Sequence, residues 1–365
     1  MELLQAAGGA VLIGAGVLFL LLGFIGLAFR ILNELPMRPP AGIPCLVIVV
    51  GLLISGCASG PTSDQAPSSA TPSTAAPSDP SRTTAGQPTQ IAMELVSKIT
   101  GAPDVFIKPD GLGLDQQGNL YVADAGNSRI QKFDGEGHLL TKWGSYGSKD
   151  GQIDCGLCGL AVDGGGNVYV TDSGNSRVQK FDSKGKFLLT WGSLGNEDGE
   201  FASPFGVAVD RQGNVYVADP VNSRVQKFDS NGKFLAKWGS RGRGDGQFSE
   251  DLADIAVDAS GNIYVTDRTN GVQKFDINMH FVAKLDACGD DRLVSSATGV
   301  ALDARGNIYV NDLANDRICK YDGSGTFLTA LGGFSGPVGL IAVDQQGDIY
   351  GAEPEDDLVL KFHQP

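Results

Sequence analysis

The chain has 365 residues, of which 42% are hydrophobic, and it carries 51 glycines and a net charge of −14. Glycine at about twice its usual share of roughly 7% points to many turns, hence to a turn-dense all-β protein rather than a helical one. The charge is uneven: residues 1–57 are neutral, residues 58–90 carry −1, and residues 91–365 carry the remaining −13, which repels phosphate backbones and disfavours nucleic acid as a partner.

In chain order, residues 3–29 come first, 27 positions without a charge, enough to span a bilayer core. Arg30 and Arg38 follow, which by the positive-inside bias puts the segment after Phe29 in the cytoplasm. Residues 1–36 are either a first membrane helix or an over-extended gene start. Residues 37–57, MRPPAGIPCLVIVVGLLISGC, form a complete secretory signal with a short apolar run over Cys45–Ile54. Its end, Ile54-Ser55-Gly56-Cys57, resembles a bacterial lipobox, with Cys57 as the residue that receives lipid. Residues 58–90 hold no Leu, Val, Ile or aromatic side chain and read as a disordered Ser/Thr/Pro/Ala-rich tether. The expected location is the cell envelope, with the remaining domain anchored outside the cytoplasm.

Residues 91–365 are built on a repeat. Six copies of one pattern occur, from LDQQGNLYVAD (114–124) through VDRQGNVYVAD (209–219) to VDQQGDIYGAE (343–353), their shared glycines 41 to 48 residues apart. Each unit reads as four short strands. Gly206–Asp210 is an apolar inner strand, Asp-x-x-Gly-Asn a turn, and Val215–Val217 a β-branched and aromatic second strand. A polar turn leads to a third strand at Val225–Asp229, and Asn231-Gly232 is a hairpin signal before the fourth at Phe234–Gly239. Four antiparallel strands in about 47 residues make one blade of a β-propeller. The sixth unit ends after its third strand, and Leu95–Ile99 aligns with the outer strand Leu139–Trp143. The expected architecture is therefore an all-β, six-bladed propeller over 91–365, closed by an N-terminal strand that completes the last blade.

GVAVDRQGNVYVADPVNSRVQKFDSNGKFLAKWG (206–239) resembles an NHL repeat, and the likeness covers nearly all of residues 106–363. That resemblance implies a binding scaffold. Enzymes with the same architecture include peptide α-amidating lyases and, more distantly, calcium-dependent lactonases.

The candidate chemistry is sparse. His138, His280 and His363 fall in separate places, which disfavours a histidine zinc site or a Ser-His-Asp triad. The Asp-x-x-Asn-x-Arg turns recur in most blades and read as local hydrogen bonding, and Trp143, Trp191 and Trp238 as packing between blades. The tripeptide Arg243-Gly244-Asp245 falls within a structural turn. A binding face should break the repeat. Asp110, Cys158, Phe205, Asp254, Thr298 and Gly339, at or just before the inner strands, differ from blade to blade and are the candidate ligand contacts. Asp110 and Asp254 lie on opposite blades and read as two metal ligands for Ca²⁺ or as two solvated acids. No cofactor beyond that Ca²⁺ is expected. Cys155-Gly-Leu-Cys158 is a local disulfide, a pair of free thiols, or a redox or metal site. Cys288 lies in a rim loop and breaks no clear pattern, and Cys319, in place of a Gln within a third strand, reads as a packed thiol.

The leading functional expectation is a membrane-anchored scaffold that binds a protein, peptide or glycan on its rim face. The alternative is a metal-dependent, lactonase-like hydrolase or lyase with a Ca²⁺ site at the channel mouth.

Overall fold

The computed structural model describes residues 91–364 apart from 102–104, 157, 286–287, 289–293, 295 and 333–337. These belong to one compact unit, Asp79–Pro365. The proposed membrane segment, signal and tether lie outside the described residues. Among the described residues no helix is long and apolar enough to cross a membrane.

Six blades of four antiparallel strands follow one another along the chain, the fifth extended by one short parallel strand at its outer edge. Blade 3 shows the rule. Its inner strand Val207–Val209 pairs with Val215–Asp219, which pairs with Arg224–Phe228, which pairs with Phe234–Trp238. The second strand is buried at every position, because blades pack against both of its faces. The outer strand alternates between half-buried and exposed, as a strand covered on one face should. The turn after the inner strand is fixed by Asp210, whose carboxylate accepts the backbone N–H groups of Gln212 and Asn214 at 2.9 and 2.8 Å. Gly213 supplies the left-handed backbone there, with φ of 82°.

Near the axis the inner strands crowd one another. A Cβ on Gly206 would run into the carbonyl oxygen of Ala253 in the next blade, and the Gly206 N–H donates to that oxygen at 3.0 Å. Farther out, aromatic rings couple the blades. Trp191 of blade 2 lies 5.9 Å from Phe228 of blade 3, and Trp238 lies 5.8 Å from Phe275 of blade 4. The tryptophans are therefore inter-blade packing, as the repeat suggested. In all six blades a lysine ammonium also sits 4.7 to 5.3 Å from the centre of a buried tyrosine ring.

The ring closes as expected. Glu94–Ile99 pairs antiparallel with Leu358–His363 and becomes the outer strand of blade 6. A shorter strand, Ile91–Ala92, runs parallel to the outer strand of blade 5 and pairs with Leu331 and Gly332. Leu331 occupies the place that tryptophan fills in blades 1–3, so the N-terminal segment covers a position that a hairpin turn covers elsewhere.

Candidate functional site

Inter-blade loops are held by the strand-ending aspartates. Asp172 is fully buried and accepts from Asn175, Arg177 and Gln179, as well as from the Asp154 backbone N–H at 2.8 Å. Arg177 passes on to the carbonyls of Ser148, Lys149 and Gln152. Arg224 repeats this on Asn196, Glu197 and Glu200. The Asp-x-x-Asn-x-Arg sets are thus staples for the incoming loop. Each histidine lies beside an aspartate of its own blade, His138 by Asp134, His280 by Asp276 and His363 by Asp348.

At the end of the propeller where the inner strands begin, a cleft of about 200 Å³ is lined by Asp110, Phe205, Arg268, Thr298, Leu313, Val338, Gly339, Leu340, Pro354 and Glu355. Four residues singled out for breaking the repeat, Asp110, Phe205, Thr298 and Gly339, meet here. A second cavity of about 250 Å³, between blades 3 and 4, shares Phe205 and Arg268 with it. Cys158 and Asp254 line neither. Cys158 is 1% exposed and bonded to Cys155, so it is no surface contact; its backbone N–H instead donates to Asp110 at 3.0 Å.

Asp110 and Asp254 are not solvated acids. Both are buried, and each reaches into the next blade's inner strand: Asp110 to Cys158, and Asp254 to the N–H of Val300 at 3.1 Å. Asp254 also accepts from its neighbour Ile255. Burial pushes the Asp110 carboxyl up to about 6, against the Cys158 N–H and the Arg268 charge, which pull it down. Burial pushes Asp254 up to about 7; the N–H groups of Val300 and Ile255 oppose this and the Asp110 charge adds to it. Among the described residues, no third Asp, Glu, His or Cys joins them in a set close enough to share a metal ion.

Arg268 escaped the sequence reading. It follows the strand-ending Asp267, where the other blades carry Ala125, Ser173, Pro220, Leu313 and Pro354. That single charge at a position otherwise uncharged was the available signal. No described side chain bonds its guanidinium. Asn311 is a second omission: it stands where blades 2 and 4 carry Thr, and it ties Thr298 at 2.8 Å to the carbonyls of Val338 and Gly339.

Two corrections concern cysteine. Cys155 and Cys158, three positions apart, are paired as a disulfide, the first of the alternatives that the sequence leaves open for them. Cys319 is not a lone packed thiol: it forms a second disulfide with Cys288, with Cα atoms 5.6 Å apart. Cys319 takes the place of Gln179, Gln226 and Gln273, which grip the incoming loop by its backbone in blades 2–4. Cys288 is on the loop entering blade 5, so a covalent bond does that work there.

The NHL repeat family matches residues 106–133, 158–181 and 201–228. The chain is an NHL-repeat propeller. No curated protein matches the sequence significantly. Solved structures similar to the NHL propeller include a streptogramin B lyase, 13% identical with a TM-score of 0.53 over 74% of this chain and 97% of that one. A gluconolactonase from Xanthomonas campestris is 15% identical, with a TM-score of 0.54 over 76% and 97%. A catalytically inactive histidine-to-alanine variant of virginiamycin B lyase from Staphylococcus aureus, with quinupristin, is 10% identical, with a TM-score of 0.53 over 78% and 97%. At such identities the likeness establishes the propeller fold alone.

Proposed function

We propose that this NHL propeller is a binding domain that receives a polypeptide partner in the cleft at the start of its inner strands. The observation that carries this reading is that Phe205, Arg268, Leu313, Leu340 and Pro354 meet there from four blades, at positions whose residue type varies from blade to blade. An apolar floor with one guanidinium suits an apolar side chain and a nearby peptide carbonyl or carboxylate. A glycan would call for a denser set of polar groups. Residues 1–57 support anchoring in the cell envelope through a lipid on Cys57. A photo-crosslinking residue at Leu313 of the full chain tests the cleft in cells. A protease-sensitive adduct, lost in Arg268→Ala, is expected; an adduct sensitive only to glycosidase, or none, overturns the reading. Incorporation of labelled lipid, abolished by Cys57→Ala, checks the anchor.

A specific observation favours a second reading, a metal-dependent hydrolase: two buried carboxylates, one of which lines the cleft, in a fold shared with a gluconolactonase. Against the lyases, the virginiamycin B enzyme is inactive in its histidine-to-alanine variant, and this chain places no histidine in the cleft. Thermal unfolding with EDTA and then millimolar Ca²⁺ separates the two readings. Stabilisation that Asp110→Ala removes favours the hydrolase, and an unchanged midpoint favours the binding domain.

A further inference from the structure

The closing seam leaves a polar pocket that other blade junctions fill. In blades 1–5 the third and outer strands are joined by a five-residue turn, such as Asp229–Lys233. The lysine of the preceding blade reaches that turn: Lys180 donates to the Ser230 carbonyl at 3.1 Å, and Lys274 to that of Gly323 at 3.0 Å. Blade 6 has no such turn, because its outer strand comes from the N-terminus. Gln364 takes the place of Ser230, and the equivalent lysine, Lys320, donates to its side-chain oxygen at 2.9 Å. Beside it opens a cavity of about 230 Å³, lined by Asp303, Arg305, Tyr309, Lys320, Gln346 and Gln364, among others.

Two cations share the cavity with a single carboxylate. The Asp303 carboxylate is taken up by the N–H groups of Arg305 and Asn307, the Asn307 amide and the Tyr309 hydroxyl. Lys132 and Lys361 have carboxylate partners within 4 Å, whereas Lys320, like Lys180, Lys227 and Lys274, has none among the described residues. No described group bonds the Arg305 guanidinium. Burial and the nearby Arg305 charge hold Lys320 below the usual lysine range, with Asp303 opposing them.

We propose that this seam pocket binds a small oxyanion, phosphate or carboxylate, between Lys320 and Arg305. The two cations supply the charge, and the side-chain amide of Gln346, which also lines the pocket, supplies a neutral donor, while the Gln364 amide is already spent on Tyr309 and Gly347. The site lies between blades 5 and 6, on residues separate from those of the axial cleft, and does not depend on what that cleft binds.

The test is thermal unfolding of the full chain in detergent, titrated with inorganic phosphate or with glucuronate, at ionic strength held constant with NaCl. Either ligand at about 100 times its dissociation constant raises the midpoint by about 5 °C. Which of the two does so identifies the preferred source of the anion. Arg305→Gln, an exposed substitution that leaves folding intact, and Lys320→Met both remove the rise, while Lys180→Met at a filled junction keeps it. An equal rise in all variants, a rise reproduced by NaCl alone, or no rise with either anion overturns the proposal.

Discussion

Blades 3 and 5 perform the same task with different chemistry. Blade 3 holds its incoming loop through Arg224 and Gln226, whose side chains bond the backbone at Asn196, Glu197, Gly199 and Glu200. The loop entering blade 5 lacks that sequence, and there Cys288–Cys319 supplies the connection. The comparison teaches that the loops must be pinned, and that the means are interchangeable. Where side chains grip backbone atoms, loop side chains are free to vary, whereas a covalent pin fixes one residue on each side.

The largest effect is expected from breaking the covalent pin. Cys319→Ser should cost about 4 kcal/mol, from the chain entropy of a loop spanning 31 positions, and urea unfolding with and without reductant checks it. Breaking the polar pin comes next. Arg224→Ala leaves Asp219 buried without its guanidinium partner and should cost about 3 kcal/mol, with faster amide exchange at 196–200. Cys155–Cys158 sharpens the contrast, since it closes a loop of only three positions. Its removal should cost about 2 kcal/mol, and a larger loss would mean that it holds Asp110 as well.

The pH profile separates pinning from the buried acids. Asp110 and Asp254 hold protons more tightly folded than unfolded, so from about pH 4 to 7 the folded chain binds more protons and stability falls as pH rises. Carboxylates such as Asp115 and Asp348, lowered by their partners, act oppositely and lose their contribution as pH falls below their unfolded value. Urea midpoints should therefore decline between about pH 5 and 7, and Asp254→Ala should flatten that decline.

The fold was legible because each repeat states its own strands and turns. The Asp-x-x-Gly-Asn turn and the outer-strand alignment of Leu95–Ile99 even located the seam. The staples were legible as repetition, and part of the cleft as its interruption. Burial of Asp110 and Asp254 was not, because it depends on how closely neighbouring inner strands approach. Nor was the second disulfide, since Cys288 and Cys319 meet only once the loop of one blade packs on the third strand of the next. Arg268 was hidden by its place on the turn after the second strand, where residue type varies from blade to blade and no pattern marks it.

The seam also has a consequence in time. Glu94 pairs with His363, about 270 residues away, whereas most other strand pairings lie within a single repeat. Blades 1–5 can form from local segments as synthesis proceeds, but the ring cannot shut until Leu358–His363 has left the ribosome and met the oldest part of the domain. Until that meeting, blades 1 and 5 each present an uncovered face, and the interval before closure is when the nascent chain is most open to aggregation or to capture by a chaperone.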